Sequence, residues 1–291
     1  MSKEKTEFDM ESAPPKLEKA YDNREFLHSP DARTVRVLTE YLEPQARLRR
    51  RNVSGTIVFF GSARALPSDE VQPLLGEAEE RVSQIGDRQA LEALGKARGA
   101  ARHSRYYEDA VELARKLTEF YQKQPHPRDR LVVCSGGGPG IMEAANRGAR
   151  QADGKTVGFC ISLPQEQSAN RWLLPELTFE FHYFFMRKYW FVYLARALVI
   201  FPGGFGTMDE LFEVLTLIQT QKLKKRLPIV LYGSEYWNDV IDFKAMVKWM
   251  VVSPKDLELF KICDTPEHAF EFLTSRILSG ANQELQESPT E

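Results

Sequence analysis

Cysteine is scarce in this chain. Three cysteines in 291 residues, with no pair at CxxC spacing and no Cys/His cluster, exclude a disulfide framework and give no structural zinc or redox pair. Cys134 and Cys160 lie in apolar runs, so buried free thiols in a reducing compartment are expected. No charge sign dominates either: 39 Lys+Arg against 41 Asp+Glu leave a formal net charge of -2, which argues against a dedicated nucleic-acid or acidic-membrane binder. Long apolar runs are absent as well. The longest, Tyr189–Phe201, is interrupted by Arg196 and closed by Pro202, and falls short of the roughly 20 residues that span a bilayer. The start, Met1-Ser2-Lys3-Glu4-Lys5, lacks the apolar centre of a signal peptide, so a soluble, cytoplasmic protein is expected. With 43% hydrophobic and 27% charged residues, wholesale disorder and collagen-like fibres are excluded too.

What the chain has is an alternation. Five short apolar runs read as buried strands: Thr56–Phe60, Leu131–Cys134, Thr156–Ile161, Ala197–Phe201 and Leu227–Tyr232. They show no polar/apolar alternation, as expected of strands covered on both faces. Between or after them lie patterns with apolar residues three and four apart: Ile141–Arg150, Phe184–Ala195, Met208–Gln221, Tyr236–Met250 and Pro266–Leu278. The order predicts an α/β fold, a single Rossmann-like doubly wound parallel sheet with helices on both faces. Residues 1–27 are polar and read as a flexible arm, and Ser29-Pro30-Asp31 as a helix start that Pro44 ends or kinks. Arg47, Arg49, Arg50 and Arg51 read as a solvated helix end. The stretch 67–107, rich in Glu, Ala, Arg and Leu, interrupts the alternation as a helical insertion or hairpin, after which Tyr106 restarts the regular crossover helix. The catalytic domain is expected over 28–280 and a flexible tail over 281–291.

Two glycine clusters sit at strand-to-helix turns: Ser135-Gly136-Gly137-Gly138-Pro139-Gly140 and Pro202-Gly203-Gly204-Phe205-Gly206-Thr207. Glycines let backbone N–H groups approach an anion, a helix N-terminus adds unpaired donors, and Thr207 adds a hydroxyl. A phosphate is the natural guest. Neither cluster is a GxxxxGK[ST] loop or a GxGxxG fingerprint. Glycines that merely permit tight turns, Glu210 as an ordinary acid at a helix start, and Arg187 and Lys188 as a solvated helix face are the structural alternatives.

Three segments carry a resemblance: Gly136–Asn146, Met186-Arg187-Lys188 and Pro202–Glu210, the last of the form PGGxGTxxE. Together they resemble the LONELY GUY family of cytokinin riboside 5′-monophosphate phosphoribohydrolases, many of them labelled lysine decarboxylase, with bacterial relatives described as AMP nucleosidases. The resemblance runs from about Thr56 to Tyr232, and the arm and insertion suggest a longer bacterial form. It implies a Rossmann-like enzyme that hydrolyses the N-glycosidic bond of purine nucleoside 5′-monophosphates, with no cofactor and no metal, as a homo-oligomer (dimer or larger). It implies Arg187 and Glu210 as catalytic residues. It implies Gly136, Gly137, Gly138, Glu166, Met186, Lys188, Gly203, Gly204, Gly206 and Thr207 as substrate-binding residues. A decarboxylase would need a Schiff-base lysine, and the sequence has no His-Lys pair. The remaining alternative is a nucleotide sensor of the same fold without turnover.

Overall fold

A computed structural model describes residues 17–163 and 169–287, with side chains to 279. The expected arm over residues 1–16, Glu166, and the end of the tail lie outside the described residues. The chain divides into two compact units, 1–42 and 43–291. The first contains α1 (Arg24–His28), capped by the Asn23 side chain on the Phe26 N–H at 2.9 Å, and the start of α2 (Arg33–Arg50).

α2 continues through Pro44 rather than ending there. The ring removes one helical N–H, and Pro44 and Leu48 are both buried. Arg47 is likewise no solvated charge. Its Nη1 donates to the Thr178 carbonyl at 2.9 Å and its guanidinium lies 3.9 Å from the centre of the Phe179 ring.

The second unit is built on a seven-stranded, all-parallel sheet. Its strands are β1 (Thr56–Phe60), β2 (Val132–Ser135), β3 (Thr156–Ile161), β4 (Thr178–Phe181), β5 (Ala195–Ile200), β6 (Ile229–Tyr232) and β7 (Lys261–Cys263), in the order β4-β3-β2-β1-β5-β6-β7. The five apolar runs are thus β1, β2, β3, β5 and β6. The two strands absent from the expectation are the edges: β4 alternates, with Phe179 and Phe181 buried and Glu180 exposed, and β7 has three residues. Ile57, Phe59, Val133, Ala197, Val199 and Val230 pack on one face with α4 (Arg88–Gln122), α5 (Ile141–Gln151) and α10 (Pro266–Glu287). On the other side of β1, Phe60 meets Phe191 of α6 (Phe184–Leu194) edge-on at 4.9 Å between ring centroids.

The 67–107 stretch is helical, as expected. It forms α3 (Ser68–Gln84) and the first half of α4, joined by a turn through Gly86 and capped by Asp87 on Ala90 N–H. Tyr106 restarts nothing, because α4 runs unbroken for 35 residues from the insertion into the crossover. Nothing between Lys96 and Tyr107 breaks a helix except Gly99, which a helix tolerates at about 1 kcal/mol. α7 (Phe205–Gln219) follows β5. The pattern at Tyr236–Met250 is two helices, α8 (Ser234–Val240) and α9 (Phe243–Lys248), separated where the Asp242 carboxylate caps Ala245 N–H at 2.8 Å.

Candidate active site

The strand order reverses direction at β1: the chain moves outward to β2, β3 and β4, then returns to the other side through β5, β6 and β7. The loops after β1 and β5 therefore part from each other and leave a crevice at the carboxyl edge of the sheet, the usual ligand position in such folds. A cleft of about 890 Å³ lies there. Its floor is Gly61–Arg64 after β1 and Gly203–Thr207 after β5, with Arg187, Asp209 and Glu210 beside them.

The loops are laced together by backbone bonds. Ser62 N–H donates to Pro202 O at 2.9 Å, and Ile141 N–H to Ser62 O at 3.0 Å. Gly140, at φ +70, has no room for a side chain because a Cβ would strike the Ser62 carbonyl. The loop after β2 is fixed from behind by a buried amide network. Ser135 Oγ donates to Asn146 Oδ1 at 2.7 Å, Asn170 Nδ2 to the same oxygen at 2.9 Å, and Asn170 Nδ2 also to Gly137 O and Gly138 O at 3.1 and 3.0 Å.

α7 begins at the cleft with Gly204 as its first flanking residue and no side-chain cap. Its first-turn N–H groups have no intrahelical acceptor and carry the positive end of the helix dipole. A Cβ on Gly204 or Gly206 would meet nothing within 4 Å, so these two glycines face open space. At Gly203 a Cβ would press on the Thr207 side chain, 2.7 Å from its Cβ. Thr207 is thereby drawn close over the loop.

Glu210 lies one turn further along α7 and is only 7% exposed. Burial pushes its carboxyl from the ordinary 4.5 up to about 7, with Arg187 and Lys188 pulling the other way. Arg187, on α6, is half-buried. Desolvation lowers its affinity for the proton, the Glu210 charge partly restores it, and its Nε has no hydrogen-bond partner. Its guanidinium stacks 5.2 Å from the Phe191 ring centroid. The glycine at 136 leaves room for it: a Cβ there would come within 2.8 Å of Arg187 Nη2 and of Met142 Sδ.

Arg187, Glu210, Gly203, Gly204, Gly206 and Thr207 are therefore brought together in one cleft. Other expected residues stand elsewhere. Gly136, Gly137 and Gly138 do not line the cleft; Gly136 backs Arg187 and Gly137 packs on Cys160. Met186 is buried in α6, and Met142 of α5 lines the cleft instead. Lys188 is outside it. Its Nζ lies 2.7 Å from Asp209 Oδ2 and 3.0 Å from Glu213 Oε2, bracing α6 to α7. The three thiols are free, and burial pushes Cys160 and Cys263 up to about 11 and Cys134 well above its ordinary value.

Two groups of lining residues carried no sequence motif. The insertion contributes Lys96, Gly99, Ala100 and His103, one face of α4 at helical spacing, and α8 contributes Tyr236. Burial and the neighbouring Arg102 lower the His103 pKa. Among the described residues there is no cluster of three or more His, Cys, Asp or Glu able to hold a metal ion, and no helix long and apolar enough to cross a membrane.

Residues 142–273 match a family described as possible lysine decarboxylase. The chain is 31% identical over 117 residues to the pyrimidine/purine nucleotide 5′-monophosphate nucleosidase of Escherichia coli K12, a match covering 35% of this chain and 24% of that protein. It is 27% identical over 192 residues to a cytokinin riboside 5′-monophosphate phosphoribohydrolase of Arabidopsis thaliana, covering 60% of this chain and 80% of that protein. Solved structures that share similarity include the molybdenum cofactor carrier protein of Chlamydomonas reinhardtii (16% identity, TM-score 0.40, 77% of this chain and 99% of that one) and the molybdenum cofactor binding protein of Rippkaea orientalis (19%, TM-score 0.42, 58% and 86%). The matched region takes in Arg187, the loop at 203–207 and Glu210, the residues that converge at the switch point of the sheet. The chain thus resembles, over this region, a family described as possible lysine decarboxylase and relatives named as a nucleotide 5′-monophosphate nucleosidase and a cytokinin riboside 5′-monophosphate phosphoribohydrolase, in keeping with the resemblance of its motifs to the LONELY GUY family.

Proposed function

We propose that the protein hydrolyses the N-glycosidic bond of purine ribonucleoside 5′-monophosphates, AMP or an N6-modified AMP such as a cytokinin riboside monophosphate, releasing the free base and ribose 5-phosphate. One observation carries the reading: a buried glutamate, Glu210, opposes a half-buried arginine, Arg187, one helical turn from an uncapped helix N-terminus lined by open glycines.

The chemistry follows from that placement. The 5′-phosphate is received by the first-turn N–H groups of α7, Thr207 Oγ1 and Arg187. Anchored there, the ribose lies along α7 with C1′ toward Glu210. Cleavage of C1′–N9 develops positive charge on the sugar, as in glycoside hydrolysis. A carboxylate in a water-poor setting stabilises that charge far more than one in bulk water, and it can take a proton from the attacking water. The burial that raises the Glu210 pKa is thus what makes its ionised form effective. Arg187 favours the charged form of the carboxylate against that burial and neutralises the phosphate.

A pyridoxal-type decarboxylase fits poorly. Lys188, the lysine of the motif, is paired with two carboxylates outside the cleft. A non-catalytic nucleotide sensor would use the same phosphate loop but has no need of Glu210 beside an anion. The reading includes a homo-oligomer, supported by exposed aromatic side chains on α6 and α7: Phe184 54%, Phe185 51% and Phe205 97% exposed. Light scattering in solution tests the assembly. Chromatography of AMP incubated with the protein tests the activity: adenine plus ribose 5-phosphate is expected, and unchanged AMP with measurable binding would make the protein a sensor.

A further inference from the structure

We propose that Tyr236 is a positioning residue of the phosphate loop, locking the peptide between Gly203 and Gly204 so that its N–H faces the ligand and its carbonyl does not. The proposal rests on the reading of Gly203–Thr207 as a phosphate site.

The Tyr236 hydroxyl donates to Gly203 O at 2.5 Å, and Tyr236 itself lines the cleft. A peptide between two glycines rotates freely, since neither residue has a Cβ to oppose it. In a trans peptide the C=O and the following N–H point in opposite directions. Rotation of this peptide would therefore withdraw the Gly204 N–H from an anion and present it with the Gly203 carbonyl oxygen, a repulsive partner. A phosphate loop made of glycines needs an external restraint for that reason. Tyr236 supplies one and at the same time covers the carbonyl lone pair.

The restraint is anchored. α8 is preceded by Gly233, whose φ of +93 only glycine adopts readily, and where a Cβ would strike the Tyr106 ring at 2.6 Å. Ser234 N–H is held by Asp264 Oδ1 at 2.6 Å, Trp237 Nε1 donates to Tyr232 O at 3.0 Å, and Glu235 pairs with Arg105 of α4 at 2.6 Å. Tyr236 thus projects from a short helix tied at its start to β6, to the end of β7 and to α4.

The test is Tyr236→Phe, which keeps the ring and removes only the hydroxyl. Inorganic phosphate is titrated into wild type and variant by calorimetry, and competition by phosphate and by adenine is measured against AMP. Loss of one such hydrogen bond is expected to weaken phosphate binding roughly 3- to 10-fold. KM for AMP should rise by the same factor, kcat should stay within about twofold, adenine inhibition should be unchanged and the melting temperature nearly so. Equal phosphate affinity in the two proteins overturns the proposal. So does a parallel loss of adenine binding or a loss confined to kcat, since either would mean a general distortion. The titration needs no turnover. Failure of wild type to cleave AMP, with phosphate still bound, would remove the enzyme reading and leave this inference standing. Failure of wild type to bind phosphate would remove both.

Discussion

Replacing Glu210 by Gln separates the proposed role from that of an ordinary acid at a helix start, and it does so through stability as well as rate. The Glu210 carboxyl is held at about 7 in the folded protein against 4.5 in the open chain. A group whose pKa is raised on folding contributes stability that is complete below the open-chain value and is lost as pH climbs through the folded value. Between pH 4.5 and about 7, wild type therefore gives up stability that a glutamine at 210 keeps. At 1.36 kcal/mol per tenfold change in proton affinity, the loss approaches about 3 kcal/mol once pH is well above 7. The attraction between the carboxylate and Arg187 is already contained in that value of about 7. It is present only when Glu210 is ionised, so it forms part of the difference between the two pH values and is not added to it.

The assay is chemical denaturation of wild type and Glu210→Gln at pH 5 and pH 8.5. Relative to wild type, the variant should gain about 2–3 kcal/mol between the two conditions, or roughly 4–8 °C in melting temperature. The same variant should lose about 10²–10³ in kcat with KM little changed, as expected when one electrostatic contact to the transition state is removed. An acid that merely favours a helix N-terminus gives the opposite sign, losing about 0.3–1 kcal/mol when neutralised at high pH. A stability difference that is flat in pH, or that moves against the variant as pH rises, would refute the placement of Glu210 as a buried, desolvated carboxylate.

Other outcomes follow from the same geometry. If the ionised form of Glu210 is the working one, wild-type kcat should rise with pH and level off above about 7, and a profile that falls over that range would contradict it. AMP should be cleaved and adenosine should not, with inorganic phosphate competing; comparable turnover of adenosine, measured by chromatography, would remove the phosphate loop from the mechanism. Gly206→Val projects into open space, so it should weaken nucleotide binding while hardly changing the melting temperature, although a β-branched residue is a poorer cap-turn former. Gly136→Ala should lower both phosphate affinity and kcat, because the new methyl displaces Arg187 Nη2 or Met142 Sδ, each 2.8 Å away, and Arg187 serves phosphate and Glu210 together; unchanged affinity and kcat in titration and turnover assays would contradict that double role.

The sequence was most legible where structure leaves a chemical signature in consecutive residues. β1, β2, β3, β5 and β6 are buried on both faces and so appear as unbroken apolar runs. β4 alternates and β7 is too short, which are the properties of edge strands and the reasons both escape a search for apolar runs. Gly203–Thr207, Arg187 and Glu210 were readable because loop and helix start are contiguous and Arg187 sits in a motif. Tyr236, Lys96 and His103 were not readable. They reach the cleft from elements remote in sequence, and nothing local marks a tyrosine that bonds a carbonyl 33 residues away. Lys188 shows the converse. Its place in the motif suggested a ligand contact, whereas the two acids at i and i+4 on α7, Asp209 and Glu213, claim its charge.

The unbroken course of α4 bears on how ligands enter. Lys96 and His103 at the cleft share a helix with Leu113, Leu117 and Tyr121, which are wholly buried against the sheet. A flap needs a hinge, a place where a few backbone torsions change at small cost. Between the cleft wall and the core this helix has none, since swinging the wall outward would break consecutive helical hydrogen bonds or drag the core with it. The wall is therefore a fixed jamb. Access to the cleft is set by its shape at rest, and any gating motion belongs to other segments of the mouth.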